Sequence, residues 1–402
     1  MVREGRRGEL HRGGDRGELS SARALDEFLR HIEAARFRWY PTAQEALAPG
    51  GALAYGFTAN NRRELAFFDE LTGRAGRRIP VLNVCDLDHR VGTGARTRIR
   101  LVLEDVVREF LRTRTSIRPG LFTHLCTFGT AVQGAVATFE RARSPVFVVA
   151  NDHSPAPVAY TSVARALGMT TVYVQHAEVT DIFPPLEFDL SVLRNRRSAE
   201  IYDSIGPVSG ETVVARRQRG DWLGVDALRS RRLALTTALE VHAGLYPSRA
   251  FDEDRLRRLA GELVQSPGVA SVHVKPHPRS EGTARILEGT GCEIVSEIPG
   301  APHVAICGTS SVATELLAHG DLVFHDRELD DLSADYYGFQ EAGLVDPFPS
   351  GRCPEHFWRT AAADLPWNAL GRYLAHLDVA DNRELEEQAL ARVRDFTARI
   401  DR

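Results

Sequence analysis

Short β-rich runs separated by helical stretches recur along most of the chain, and this rhythm constrains the fold more than any single motif. The clearest runs are Ala52 to Phe57, Val81 to Val84, Val146 to Ala150, Thr171 to Val174 and Leu190 to Leu193. Strands that alternate with helices predict parallel sheets joined by crossover helices. A second series begins after an Arg-rich stretch at residues 215–232, with strands expected at Leu233 to Thr237, Ser271 to Val274, Glu293 to Val295, His303 to Ile306 and Leu322 to Phe324. Amphipathic stretches at 251–265 and 311–319 lie between them. With 402 residues the chain has room for two such α/β domains. The last segment, Asn382 to Ile400, spaces Leu385, Leu390, Val393, Phe396 and Ile400 as an amphipathic helix would.

Several function classes drop out early. The 50 basic and 54 acidic side chains leave a net charge of -4, so no general attraction to nucleic acid is written into the balance, and any anion site must be local. No run reaches the roughly 18 apolar residues of a membrane span, and the N-terminus lacks the apolar core of a secretory signal. The expected location is the cytoplasm, at most peripheral to the inner face of the cell membrane. Residues 1–20 hold five glycines among Arg, Glu and Asp and are expected to form a disordered tail. The five cysteines never form Cys-x-x-Cys and read as small core residues. Val91-Gly92-Thr93-Gly94-Ala95-Arg96 lacks both the Gly-Lys-Ser/Thr of a P-loop and the third glycine of a dinucleotide fingerprint. Neither a His-Glu-x-x-His helix nor a Gly-x-Ser-x-Gly elbow occurs. Asp86-Leu87-Asp88 matches the short Asp-x-Asp that holds a divalent metal in some nucleotide-sugar enzymes, but three residues match by chance too often, and no metal site is expected.

The segment with most chemistry is Val272-His273-Val274-Lys275-Pro276-His277-Pro278-Arg279. Proline cannot continue a central strand, so the chain must leave the sheet there. Ligands of α/β domains bind at the carboxyl edge of the strands, where Lys275, His277 and Arg279 would stand together and suit a phosphate. Of the 50 basic residues, Lys275 is the one lysine. A histidine that only bonds a carbonyl in a rigid turn is the plainer reading, and the clustered cations argue for ligand contact. Val304-Ala305-Ile306-Cys307-Gly308-Thr309-Ser310-Ser311 is an apolar strand that breaks into hydroxyls before a helical run. Ser310 or Ser311 can cap that helix, and its free N–H groups and dipole make an anion cradle with Thr309. Glu315, one turn in, is placed to accept from ribose hydroxyls, or is simply a solvated helix residue.

In the first domain, Val172-Tyr173-Val174-Gln175-His176-Ala177-Glu178 again ends a β-branched strand at a histidine. A neutral imidazole is the side chain best suited to take a hydroxyl proton near pH 7, so His176 is the expected general base. Upstream, Asn151-Asp152-His153 follow a strand, and Ser154-Pro155 reads as a helix start. These three residues are expected to orient His176 or to contact substrate. Thr180 to Asp189 combines prolines, apolar anchors and the carboxylates Asp181, Glu187 and Asp189, as an acceptor loop or a packed surface loop would.

Two α/β halves carrying Gln-His-Ala at 175–177, Lys-Pro-His-Pro at 275–278 and Thr-Ser-Ser at 309–311 resemble a GT-B glycosyltransferase. More narrowly, the chain is similar over residues 145–330 to bacterial CDP-glycerol glycerophosphotransferases, polysialyltransferases and related capsule enzymes. The resemblance implies that His277, Ser310 and Ser311 contact the donor phosphate and that His176 is the base. Ala177 stands where glycine often follows Gln-His, and Gly308-Thr309 where an acid can precede the serines, so the donor is left at a nucleotide-activated one of CDP, CMP or UDP type.

The expected architecture is therefore two Rossmann-like domains facing a cleft, at residues 21–210 for the acceptor and 211–378 for the donor, with a C-terminal helix at 379–402 packing back across them. The expected activity is metal-independent, inverting transfer of a sugar or polyol phosphate to a hydroxyl of a glycan or polyol in surface polysaccharide synthesis, with no cofactor beyond the donor. His176, Asp181 and Asp152 would be catalytic. Lys275, His277, Arg279, Thr309, Ser310, Ser311 and Glu315 would bind donor, and Asn151, His153, Gln175 and Glu187 acceptor. The rival readings are an epimerase similar to UDP-N-acetylglucosamine 2-epimerase, and a noncatalytic nucleotide-sugar binder.

Overall fold

The computed structural model describes residues 19–34, 50–86, 104, 107–112, 116–140, 142, 144–215, 225–249, 251–277, 280, 282–330, 335–361 and 383–400. Arg279, Asp88 and residues 1–18 of the expected tail lie outside the described residues. Leu19 and Ser20 are not tail: they form strand β1, antiparallel to β4 (Ser116–Ile117).

The first domain is built on six parallel strands in the order β3-β2-β5-β6-β7-β8. These are β2 (Ala52–Tyr55), β3 (Val81–Asn83), β5 (Val146–Val149), β6 (Thr170–Val174), β7 (Glu187–Leu193) and β8 (Ser209–Val214). The helices are α1 (Ser21–Ala34), α2 (Ala59–Arg74), α3 (Pro119–Phe139), α4 (Pro155–Ala166) and α5 (Arg196–Ile205). The period of two explains the layering: Val146 and Val148 pack on one face with α2, while Phe147 and Val149 pack on the other with Phe139 and Tyr160. Because both faces are covered there, the central strand β5 is apolar throughout.

The second domain repeats the plan with β9 (Val241–Tyr246), β10 (Val269–Val274), β11 (Glu293–Ile294), β12 (Val304–Cys307), β13 (Leu322–His325) and β14 (Asp346–Pro347), ordered β11-β10-β9-β12-β13-β14 and all parallel. Its helices are α6 (Val225–Thr237), α7 (Glu253–Val264), α8 (Thr283–Ile286) and α9 (Val312–His319). The final helix, α10 (Arg383–Ile400), returns to the first domain, where Ala389, Val393 and Phe396 join the core under α2 and β8. The two Rossmann-like domains are as expected, and the core that the closing helix joins is that of the first domain.

Two expectations fail here. Leu233 to Thr237 is the end of helix α6, where Leu228 and Leu235, two turns apart, are buried on one side. The first strand of the second domain is Val241–Tyr246 instead, the central strand of its sheet. Gly244 dilutes its β signal, yet a Cβ there would collide with the imidazole of His273 and the ring of Tyr246. The expected boundary at residue 210 falls inside β8, which belongs to the first sheet.

Candidate functional site

In each sheet the strand order reverses once, between β2 and β5 in the first and between β9 and β12 in the second. Ligands of open α/β sheets bind outside the carboxyl ends of the strands at such switch points. The chemistry-bearing residues gather at these two edges.

At the first edge the chain turns tightly after β5. The Asn151 side-chain oxygen accepts from the backbone N–H groups of His153 (3.1 Å) and Ser154 (2.8 Å), and Pro155 opens helix α4. Asn151 thereby shapes the turn, and the Ser154 side chain makes no capping bond. The turn sends Asp152 inward and leaves 37% of the His153 side chain exposed. Asp152 accepts from the Tyr202 hydroxyl at 2.5 Å with one oxygen and meets His153 Nδ1 at 2.8 Å with the other. A carboxylate can only accept, so Nδ1 carries the hydrogen and Nε2 is left as the basic nitrogen. The His153 ring stacks on His176, with centroids 5.8 Å apart and planes 28° apart, and contacts Phe183 at 4.5 Å. The two histidines expected at this edge therefore form one unit.

Gln175, expected to touch acceptor, is fully buried. Its amide nitrogen donates to Ala177 O (2.7 Å) and Ser198 Oγ (2.8 Å), and its oxygen accepts from Arg194 N (2.8 Å). It fastens the loop that carries His176 and has no surface left for a ligand. Glu187 is a second correction. It begins β7 at the opposite edge of the sheet and pairs on the surface with Arg165 (2.6 Å). The loop after β6 must run back down the sheet before a parallel strand can start, which carries Glu187 away from the carboxyl edge. Asp189 accepts from Thr171 N (2.7 Å) and its hydroxyl (2.9 Å), a fixture between strands.

The second edge is arranged differently. Lys275 and His277, both half-buried, follow the end of β10, and the Lys275 N–H still donates to Leu245 O at 3.0 Å. Beyond β12, the Thr309 N–H donates to the buried carboxylate of Asp330, which also accepts from Ser248 Oγ at 2.5 Å. Burial pushes the Asp330 carboxyl above its usual range against these two bonds. A Cβ on Gly308 would overlap this carboxylate, so glycine is required there by close approach. The Thr309 hydroxyl lies 3.3 Å from His325 Nε2. Both polar groups of Thr309 are thus engaged inside the protein, and Ser310 and Ser311 carry what the helix start offers to a ligand. Ser310 Oγ accepts from Val312 N at 3.3 Å, while Ser311, at the N-cap, makes no side-chain capping bond. A small pocket opens beside them, lined among others by Ser310, His325, Asp335, Tyr336 and Tyr337.

The two edges meet. Arg197 Nη2, on α5, donates to Tyr337 O (3.2 Å) and Gly338 O (3.4 Å) of the second domain. Glu178, 4% exposed, lies beside Asn195 in its own domain and Thr314 on α9. Tyr336 lies beside Thr180, and Asp181 is near enough to oppose its ionisation. Burial raises the Glu178 carboxyl above its ordinary value, although Arg194 and Arg197 work the other way. Burial acts against the Arg194 charge too, but Glu64 (2.8 Å) and Glu178 more than offset it. Glu315 also faces Arg194, so it stands at the domain junction and not on a solvated helix face.

Sequence reasoning passed over Glu178, Tyr202 and Asp330, and the run from Arg194 to Arg197 read as solvated surface, whereas Arg194 is largely buried against Glu64. Glu178 sits three residues after Gln175 in the segment already singled out. Asp330 and Tyr202 gave no signal, because each acts on a residue 21 or 50 positions away.

No protein-family model matches the chain, and neither does any curated protein. Solved structures similar to it include a UDP-GlcNAc 2-epimerase from Neisseria meningitidis bound to UDP-GlcNAc, at 10% identity and TM-score 0.45, with 87% of this chain and 98% of that one covered. A ugt transferase from Siraitia grosvenorii in complex with UDP has 10% identity and TM-score 0.42 over 86% and 99%. Sucrose-phosphate synthase from Thermosynechococcus elongatus has 15% identity and TM-score 0.34 over 70% and 76%. Likenesses this distant carry no functional argument, which rests on the site.

Proposed function

We propose that the chain is a transferase that moves a sugar or polyol phosphate from a nucleotide-activated donor to a hydroxyl acceptor, in surface polysaccharide or related glycoconjugate synthesis. One observation carries the reading: an imidazole held by a buried carboxylate at one sheet edge, joined across the domain junction to an edge that bears Lys275, His277 and a helix start. His153 Nε2 takes the acceptor proton, with Asp152 holding its ring and stabilising the imidazolium that forms. This moves the base from His176 to its neighbour, and His176 becomes the stacking partner that fixes the ring. The freed oxygen attacks the anomeric carbon, or the phosphorus of a polyol phosphate donor, and the bond to the nucleotide breaks with its electron pair. Lys275, His277 and the Ser310–Ser311 helix start meet the charge on the departing nucleotide. A glycosyl donor displaced once in this way inverts its anomeric centre.

The test is a panel of CDP-, CMP-, UDP-, GDP- and dTDP-linked donors. One class is expected to raise the melting temperature by mass action and to release nucleotide only when a hydroxyl acceptor is present. A panel in which no donor stabilises or reacts overturns the proposal, and so does conversion of UDP-N-acetylglucosamine alone to its 2-epimer.

A further inference from the structure

At the opposite edge of the second sheet lies a cluster that the proposed reaction does not use. A parallel sheet with a crossover helix brings strand starts and helix ends to one edge. Here His303 immediately precedes β12, His319 ends α9 and Asp321 immediately precedes β13. The Asp321 carboxylate lies 3.1 Å from His303 Nδ1 with one oxygen and 3.0 Å from His319 Nδ1 with the other. One ligand atom from each of the three residues lies within 4.8 Å of the others. Asp321 and the His303 ring are buried, whereas 27% of the His319 side chain is exposed, which leaves one route from solvent.

The outer nitrogens are also held. His319 Nε2 lies 3.1 Å from Gly300 O, and His303 Nε2 lies 2.5 Å from the Tyr246 hydroxyl, which in turn lies 3.0 Å from His273 Nε2. A carbonyl can only accept, so His319 Nε2 bears a hydrogen. Its Nδ1 faces a carboxylate, so something positive must sit on that side, either a second proton or a metal ion. Metal-ligating imidazoles typically donate their other N–H to a carbonyl or similar acceptor, and Gly300 O and Tyr246 are placed for that duty. His303 Nδ1 also lies 3.2 Å from Ala301 O, so a metal ion would have to replace the hydrogen that nitrogen shares with the carbonyl, leaving Nε2–H to donate to the Tyr246 oxygen and the Tyr246 hydrogen to pass on to His273 Nε2.

We propose that His303, His319 and Asp321 bind a zinc-class divalent cation, with water completing a tetrahedral set. Two imidazoles and one carboxylate suit zinc in donor type, and ligand bonds of about 2.0–2.2 Å are reached by small movements of groups already this close. Magnesium, which favours oxygen ligands and octahedral geometry, fits poorly. The ion ties the starts of two strands to the end of α9, the helix whose other end carries Ser310 and Ser311. It is remote from the carboxyl edge, so its role is to fix that helix and not to act on substrate.

The experiment uses the full chain, stripped with a chelator and titrated with zinc against a chromophoric competitor, with magnesium in parallel. One zinc per chain is expected, with a rise in melting temperature and no magnesium uptake. His319→Ala, at the exposed ligand, should weaken zinc binding at least tenfold and abolish the thermal shift, and Asp321→Asn should do the same. His124→Ala, an exposed histidine of the first domain, should change neither. The site is refuted if the wild-type chain takes up no zinc, or if uptake survives His319→Ala unchanged. His319 is partly exposed, so that variant decides the matter even where Asp321→Asn does not fold.

Discussion

Both sheets end a strand beside the switch point in a sharp turn that leads into a helix, and in both turns an aspartate is bound, but the two aspartates are spent differently. In the first domain Asp152 belongs to the turn and directs its carboxylate to the neighbouring imidazole, leaving His153 Nε2 for chemistry. In the second, Asp330 arrives from beyond β13 and takes the Thr309 N–H and the Ser248 hydroxyl for itself. The same topology thus yields a primed base on one side and a partly satisfied anion seat on the other. Charge recognition on the second side falls to Lys275, His277 and the two serines.

The contrast breaks most readily in kinetics. His153→Gln should lower turnover roughly a hundredfold or more with donor affinity kept, as loss of a general base does. Lys275→Gln should weaken donor binding roughly tenfold, about 1.4 kcal/mol, with a smaller change in turnover. Steady-state kinetics with the donor found in the panel separates them, and equal losses in both constants for both variants would erase the division of labour.

A smaller effect tests the filled seat. Gly308→Ala should cost about 1–3 kcal/mol in chemical denaturation, because a methyl group must displace the Asp330 carboxylate. Gly300→Ala, where a Cβ meets nothing within 4 Å, should lie near zero. A neutral Gly308→Ala would mean that Asp330 is free to leave the seat.

The smallest effect is a slope with pH. Burial raises Glu178 above the ordinary 4.5, so the folded chain keeps this proton in a window where the unfolded chain has lost it. Stability from this group is full below 4.5 and falls as pH rises through the folded value. Glu178→Gln should remove that part of the slope in denaturation curves taken at several pH values. An unchanged slope would show that the junction carboxyl titrates alike in both states.

Much of this architecture was legible in the chain. The runs at Val146 and Val304 are apolar in consecutive positions because both faces of a parallel sheet are covered, and that pattern survives without knowledge of partners. Val241–Tyr246 was missed for a tertiary reason, since Gly244 answers to His273 on the adjacent strand. Strand ends at His153, His176 and His277 could be read, because Pro155 and the Pro276–Pro278 pair mark where a sheet must stop. Glu187 looked like part of the same site, but a parallel return sends it to the far edge.

By itself the sequence determined the two-domain α/β plan and the residue types at the strand ends, because periodicity and proline chemistry act over a few neighbours. Only the tertiary structure decided which of those residues remain available to a ligand. Asp152 turns to His153, Asp330 fills the seat at Thr309, and Asp321 gathers two histidines from separate elements. Hydrogen bonds of this kind depend on distances of about 3 Å in space between groups whose separation along the chain leaves no periodic trace.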